Sequence, residues 1–299
     1  MSHRRQFKNF LKQSQKTLLF SAQYEGNADI LDDWATGIKE IKGQSPKDVY
    51  IVVNNSSEEF YQRVKAIFPK GTVINAGPMK DDQSMAIEGQ GNLALTTNLY
   101  WLMSVCGNMA IDKAMHDGYE QLLILGGDDV LSPDGLMKMR KTLNTDFINT
   151  SNPDPVGVVV PVIVARGTEK DFDGTTAHAT PIEFPTEDHE KHFFEVYRKA
   201  DEITMYIPHA NNQYGKKIFW AMGSSGMLIS RDVFSKVRFD PERYKFENLY
   251  EKRIDLDNEN NIEINMKYKG EDYDFCYRVQ EAGYKIMMRT CIFILPLRQ

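Results

Sequence analysis

The feature that most constrains this chain is the stretch LLILGGDDVLSP at residues 122–133. Leu122, Leu123, Ile124 and Leu125 show no polar alternation, so they read as a central strand buried on both faces. Two glycines end the run, and two adjacent carboxylates follow, Asp128 and Asp129. Carboxylates at the C-terminal end of such a strand lie where open α/β sheets bind ligands. Two acids there attract a hard divalent cation, which in turn holds phosphate oxygens. Asp is also common at turns and helix N-caps, and either acid would serve to cap a helix starting near Pro133. The stretch alone leaves both readings open.

The residues before it supply the rest of a sheet. TLLFSA at 17–22 reads as a first strand, with QYEGN as the loop at its C-terminal end. Ile30, Leu31, Trp34 and Ile38 give 28–41 a helical period, stopped by Gly43. DVYIVV at 48–53 is a second strand running into Asn54, Asn55, Ser56 and Ser57; a helix over 58–68 closes at Pro69, and a shorter strand covers 71–76. This β-α-β-α-β alternation predicts a parallel sheet with right-handed crossovers. No G-x-G-x-x-G follows the first strand, which argues against a dinucleotide-binding Rossmann domain. A helix is expected over 93–118, carrying Asn108, Ile111 and Ala114 and broken near Gly107. In VGVVVPVIV at 156–164, Pro161 places the strand at an edge, a bulge or a strand end.

The second half changes character. Residues 166–217 are polar and rich in His, Pro and Asp, and a connection this long is functional or disordered. His189 and His192 flank Glu190 at a spacing that is not the zinc pattern H-E-x-x-H, so a surface helix is the reading there. IFWAMGSSGMLIS at 218–230 sets two apolar runs around a Gly-Ser-Ser-Gly bend, where small residues let a ligand approach the backbone. Alternating polarity over 253–257 and 262–268 predicts a hairpin. Its acids do not make an EF-hand loop, because Asn260 and Met266 replace the required Gly and Glu. GEDYDFCYRVQEAG at 270–283 opens with acids and continues as an amphipathic helix burying Phe275, Val279 and Ala282. Acids at a helix start are favoured by the dipole in any case. A last strand covers 285–295.

Composition bounds the class. The chain has 299 residues, is 41% hydrophobic and 26% charged, and carries a net charge of −6. These values suit a soluble globular protein and give no global nucleic-acid signature. Cys106, Cys276 and Cys291 form neither a metal spacing nor a disulfide framework, so a reducing, cytoplasmic setting is expected. No run is long and apolar enough to span a bilayer, and no anchor is expected. The arm at 1–16 is basic and lacks an apolar signal core; its Phe7, Phe10 and Leu11 sit at helical spacing.

The order of four motifs resembles the GT-A glycosyltransferases, particularly the large family 2 group. They are LLFSAQY with IVVNNSS, then GNMAIDKA leading into LLILGGDDVLSP, then GSSGMLISRDVF with RFD, and last GEDYDFCYRVQEAGYKI. In the last motif, Glu271, Asp272, Asp274 and Arg278 carry the most specific spacing. The resemblance covers roughly 17–165 and 218–295. It implies an α/β GT-A fold with a mostly parallel central sheet flanked by helices: a nucleotide-sugar half at 17–165 and an acceptor half at 166–299, with inserts near 166–217 and 240–268. It further implies sugar transfer from a UDP-linked donor with inversion, assisted by Mn2+ or Mg2+. Asp129 would hold the metal with Asp128 beside it. Asp272 would take the acceptor proton, with Glu271 the second candidate. Ala22, Gln23 and Tyr24 would lie along the nucleotide, Asn54 near base and ribose, and Asn108 and Asp128 near the donor. The bend containing Gly223, Ser224 and Ser225 would border the sugar and acceptor.

Three positions depart from that pattern. Gly127 stands where the first Asp of D-x-D is expected, Asn54 stands where Asp is usual, and no histidine follows His209. A sugar nucleotidyltransferase would share the acidic strand end but needs a Gly-rich loop with Arg and Lys, which SAQYEGN lacks. A non-catalytic nucleotide-sugar binder is the other alternative, motivated by Gly127. The acceptor is a hydroxyl on a glycan, a protein or a small molecule, or a hydroxymethylated base in viral DNA. The last is suggested by Arg4, Arg5, Lys8, Lys12 and Lys16, and would require base flipping. The sequence leaves the oligomeric state open.

Overall fold

Side chains on successive strand residues fall alternately into two separate cores. Leu18, Phe20, Tyr50, Val52, Leu122 and Ile124 join one; Leu19, Ile51, Val53, Leu123 and Leu125 join the other. This period of two is the pleat of a sheet buried on both faces. The computed structural model describes residues 16–79, 91–144, 155–165, 177–178, 204–206, 210–211, 217–218, 226–244, 250–254, 262–266 and 271–297.

The strands are β1 (Thr17–Gln23), β2 (Val49–Asn54), β3 (Thr72–Gly77), β4 (Gln121–Ile124), β5 (Asp129–Leu131), β6 (Val156–Ala165), β7 (Ala177–His178), β8 (Thr204–Tyr206), β9 (Ala210–Asn211), β10 (Lys217–Ile218), β11 (Met227–Ser230), β12 (Tyr250–Ile254), β13 (Ile262–Met266) and β14 (Lys285–Pro296). The helices are α1 (Leu31–Glu40), α2 (Glu58–Ile67), α3 (Gly91–His116), α4 (Gly135–Leu143), α5 (Arg231–Phe234) and α6 (Glu271–Glu281). The main sheet runs β3-β2-β1-β4-β11-β6-β14-β5, with β7 beside β6 and β8 beside β14. Pairings β1–β2, β2–β3, β1–β4 and β6–β14 are parallel; β11 is antiparallel to both β4 and β6. The first three strands are laid down in one direction and β4 returns to the far side of β1. The topological switch point therefore lies between β1 and β4, the crevice where such sheets bind ligands.

Helices cover both faces. Trp34 and Ile38 of α1, Phe60 and Val64 of α2, and Leu136 and Met139 of α4 fill one core; Ala110 and Ile111 of α3, Val233 and Phe234 of α5, and Phe275 and Val279 of α6 fill the other. The apolar stripe predicted for 28–41 thus meets the sheet as expected, over a slightly shorter helix. The hairpin predicted for 253–268 forms as β12 and β13, paired from Tyr250↔Met266 to Ile254↔Ile262. Cys106 and Cys276 are buried thiols outside any disulfide, and burial pushes the Cys106 thiol up to about 12.

Two expectations need correction. The break near Gly107 is absent: α3 is continuous across it. The glycine serves packing instead, since a Cβ there would lie 2.7 Å from the Phe239 ring. Pro161 sits neither at an edge nor at a strand end, because β6 lies inside the sheet between β11 and β14. The bulge is the alternative that holds. The β6–β14 register jumps between Arg289, opposite Pro161, and Phe293, opposite Val162. The paired part of β11 stops at Val159, so no ladder bond is asked of the proline on that side.

Candidate active site

The loops after β1 and β2 are stitched together at the open edge of the sheet. Ser57 Oγ caps α2 by accepting from Phe60 N–H at 3.2 Å. Glu25 reaches across to it: its carboxylate accepts from Ser57 N–H at 2.9 Å and Ser57 Oγ at 3.0 Å, while Glu25 N–H donates to Ser56 Oγ at 2.8 Å. Asn54 is buried and donates from Nδ2 to the Gln23 carbonyl at 3.2 Å. Tyr24, between these anchors, is 47% exposed, and its ring lies over Gly26, where a Cβ would come within 2.0 Å of Cε2. Gln23 behaves differently from its expected place along the nucleotide. It is 0% exposed and donates from Nε2 to the Gly127 carbonyl at 2.9 Å. It shares the inward face of β1 with Leu19, and its contact is with the neighbouring turn.

That turn, residues 126–129, follows β4 across the switch point. Trp34 Nε1 donates to the Gly126 carbonyl at 3.1 Å, so both glycine carbonyls are held by side chains arriving from β1 and α1. Asp128 contributes its own carbonyl to Leu297 N–H at 2.7 Å, and Asp129 opens β5 opposite Pro296. The helix-capping alternative is removed: α4 starts at Gly135 with Asp134 in the cap position. A Cβ added to Gly126 would meet Asp129 Oδ2 at 2.4 Å and Asp128 Oδ1 at 3.3 Å. The two carboxylates therefore overhang the same glycine. Asp129 is buried, and burial raises the Asp128 carboxyl above its ordinary range, with its own backbone N–H opposing.

Gly127 has a physical reason to be glycine. A Cβ there would sit 2.7 Å from the Ala22 carbonyl oxygen, 2.8 Å from Asn27 Nδ2 and 3.0 Å from Gln23 Nε2. The position that would carry the first Asp of D-x-D is packed against the end of β1.

The second group of acids opens α6. The chain reverses at Gly283, with φ of 84° and Tyr284 N–H bonded to the Val279 carbonyl at 3.2 Å. Helix α6 thus runs antiparallel to β14, which is parallel to β6 and hence to β4. This places Glu271 and Asp272, at the start of α6, at the same sheet edge as Asp128 and Asp129. Glu271 and Asp272 are 5% and 7% exposed. Burial first, and the neighbouring Asp272 charge second, push the Glu271 carboxyl well above the usual carboxylate range. The two adjacent carboxyls thus sit in one buried site, where burial and the neighbouring charge favour the neutral form of Glu271.

Below them lies an ionic ring in which Asp274 is buried and the other three members are half-buried. Asp274 accepts from Arg278 Nε at 2.8 Å and from Arg243 Nη1; Arg278 Nη2 also reaches Asp240. Asp240 and Arg243 belong to the segment RFDPERY, whose Phe239 stacks on Phe275 at 4.4 Å between centroids. Asn108 is engaged in the same region. It donates from Nδ2 to the Phe239 carbonyl at 3.0 Å and accepts from Phe239 N–H at 3.1 Å. Both ends of its amide clamp this segment to α3, which differs from its expected approach to the donor.

The structure thus links Asn54 to Gln23 and sets Gln23 and Ala22 against the Gly127 turn that carries Asp128 and Asp129, with Glu271 and Asp272 at the same edge. Gly223, Ser224 and Ser225, the basic residues of the arm apart from Lys16, and most of the insert at 166–217 lie outside the described residues. Sequence reasoning missed Trp34 and Asn27 at the glycine turn and Asp240, Arg243 and Tyr244 beside α6. Trp34 was legible only as a core residue, and nothing local links Arg243 to Asp274.

No family model and no curated protein matches the chain. Among solved structures it is similar to GalNAc-T7 with UDP, GalNAc and Mn2+, at a TM-score of 0.54 and 11% identity, over 96% of this chain and 45% of that one. A mannosyltransferase from Pyrobaculum calidifontis, PcManGT, in complex with GDP-Man and Mn2+, gives a TM-score of 0.47 and 13% identity over 98% of this chain and 63% of that one. The chain spans less than half the length of GalNAc-T7. At this identity the likeness is one of fold, and it bears out the expected GT-A architecture. Among the described residues no helix is long and apolar enough to cross a membrane.

Proposed function

Starting from a GT-A fold, we propose that this chain is a glycosyltransferase that moves a sugar from a nucleotide diphosphate donor to an acceptor hydroxyl. The observation that carries the reading is the convergence of two acidic groups on one sheet edge. One is at the switch point after β4, the other at the start of α6. Residues 17–165 form the donor half and 166–299 the acceptor half.

Asp129, with Asp128, would hold a divalent cation, Mn2+ or Mg2+. Two carboxylates overhanging one glycine fit such an ion, and among the described residues no third His, Cys, Asp or Glu joins them. A cation held this sparsely takes its remaining ligands from water and substrate phosphates. When bound, it supplies Lewis-acid stabilisation of the charge that grows on the departing diphosphate. GalNAc-T7 was solved with UDP and Mn2+, which supports a UDP-linked donor. Tyr24 and Asn54 would border the base and ribose, Ala22 and the backbone beside it would line the nucleotide, and Gly223, Ser224 and Ser225 would border the sugar. Gln23 and Asn108 would act on the donor indirectly, through the glycine turn and the Phe239 segment.

Asp272 would accept the proton of the attacking hydroxyl, with the raised carboxyl of Glu271 beside it. A base on the far side of the sugar from the leaving group gives in-line displacement and inversion. The acceptor is a hydroxyl on a glycan or on a hydroxymethylated base in DNA. The test is a thermal-shift screen of nucleotide sugars with and without Mn2+, followed by transfer assays on both acceptor classes. A UDP-sugar should raise the melting temperature in a Mn2+-dependent way. Asp272→Asn should keep that shift and lose transfer by about 10²–10⁴-fold, the usual contribution of a general base. Near-normal turnover by Asp272→Asn would remove it from the role, and absence of any donor shift would remove the function.

A further inference from the structure

The ring of two aspartates and two arginines beneath α6 is not accounted for by the chemistry above. Asp274 is buried and each of its oxygens takes one arginine, Arg243 on Oδ1 and Arg278 on Oδ2. Asp240 completes the ring by meeting Arg278 directly and Arg243 Nε at 3.8 Å. Two members lie on α6 and two on the 3-10 turn Pro241–Tyr244 with its preceding residue. Asp274 stands one position beyond the residue following Asp272. A shift of the ring therefore moves the first turn of α6, and with it the carboxylate of Asp272.

The same turn is fixed from other directions. Phe239 stacks on Phe275, Asn108 of α3 clamps the Phe239 backbone, and Tyr244 is fully buried with its ring edge-on to Tyr100 of α3. Burial and the charges of Asp274, Glu271 and Asp272 push the Tyr244 phenol well above its ordinary range, which puts that side chain among the acids. Segment 239–244 is thus a wedge between α3 and the start of α6. A helix–helix contact made of apolar groups alone permits sliding. A buried carboxylate that takes one arginine from its own helix and one from the neighbouring segment does not, because sliding breaks the charge-assisted bond between the two elements.

We propose that Arg243, acting through Asp274, is a positioning residue that fixes the first turn of α6 and so sets the placement of the Asp272 carboxylate against the acceptor hydroxyl. This rests on the glycosyltransferase reading above. Arg243 is the informative member because it comes from outside α6. Arg278 pairs with Asp274 at i,i+4 within the helix and reaches the wedge only through Asp240, so Arg243 is the group that meets Asp274 from outside α6.

The test compares steady-state transfer by the full chain carrying Arg243→Met, Arg243→Lys and the double variant Arg243→Met with Asp274→Asn. Assays are run well below each variant's melting onset, so that every chain is folded. Loss of positioning should lower kcat by about 10²-fold, the scale of a misplacement near 1 Å, while donor KM stays within about twofold of the wild-type value. Arg243→Lys should fall between, because it keeps the charge and loses the fork. The double variant should lose no more than about twofold beyond Arg243→Met, because both substitutions break the same contact. A folded Arg243→Met or Arg243→Lys with wild-type kcat would overturn the proposal, as would a double variant whose loss is the product of two independent ones. Arg243→Lys is the deciding variant if Arg243→Met does not fold. Absence of transfer by the wild-type protein would instead count against the glycosyltransferase reading, so the two failures are distinguishable.

Discussion

Installing an aspartate at Gly127 would recreate the D-x-D pattern on paper, and the structure predicts that it damages the site. Ordinary van der Waals contact for a Cβ begins at 3.4 Å, and the three nearest atoms at this position lie at 2.7, 2.8 and 3.0 Å. The closest is the backbone carbonyl oxygen of Ala22, which cannot rotate away. Relief requires the end of β1 and the glycine turn to separate by several tenths of an ångström. Overpacking of this kind costs about 1–3 kcal/mol. The same separation stretches the Gln23–Gly127 hydrogen bond, worth about 1 kcal/mol. The sum is about 2–4 kcal/mol, or a melting temperature roughly 4–8 °C lower at about 2 °C per kcal/mol for a chain of this length. Gly127→Ala should show most of that loss, because the clash starts at Cβ, and Gly127→Asp should not tighten Mn2+ binding. Differential scanning fluorimetry with a Mn2+ titration measures both. A Gly127→Asp protein that melts at the wild-type temperature and binds Mn2+ more tightly would refute the packing argument and make Gly127 a lost ligand.

Two further outcomes follow from the site. The Glu271 carboxyl is raised when folded, so its contribution to stability is fully present below the unfolded value near 4.5 and is lost as pH rises toward the folded one. Glu271→Gln should therefore melt at the wild-type temperature near pH 4 and progressively above it as pH rises past 4.5; a constant offset across that range would contradict the linkage. Trp34→Phe removes the indole donor to the Gly126 carbonyl while keeping an aromatic ring in the core. It should weaken Mn2+-dependent donor binding several-fold, and an unchanged Mn2+ titration would show that the turn holds its shape without that bond.

The sequence announces the parallel half of the sheet because each strand there is a local event. TLLFSA, DVYIVV and LLIL are apolar runs bounded by their own turns, and their mutual order follows from short right-handed crossovers. The acidic turn was legible for the same reason, since its glycines and carboxylates are contiguous. What stayed hidden depends on partners far away in sequence. Gly127 looked like a missing ligand until the Ala22 carbonyl was placed beside it. Asn108 looked like a donor contact, although both ends of its amide belong to Phe239, 131 residues later. Asp274 and Arg278 carried a readable i,i+4 spacing, but neither Asp240 nor Arg243 signals in its own surroundings that it closes a ring on them. Pro161 left an edge, a bulge and a strand end open, and nothing local told which; the neighbouring strands decided for an internal bulge.

The bond from Leu297 N–H to the Asp128 carbonyl, next to the Pro296↔Asp129 pairing, has a consequence for biosynthesis. Chains emerge from the ribosome N-terminal end first. Asp128 and Asp129 are translated long before the residues that complete their turn, so when β4 emerges Asp129 still lacks its β14 partner. The switch-point turn takes its final shape only when residues 296–297 arrive. A nascent chain interrupted before them carries every residue of the acidic motif and an unfinished turn. Completion of the acidic turn is thereby tied to synthesis reaching β14.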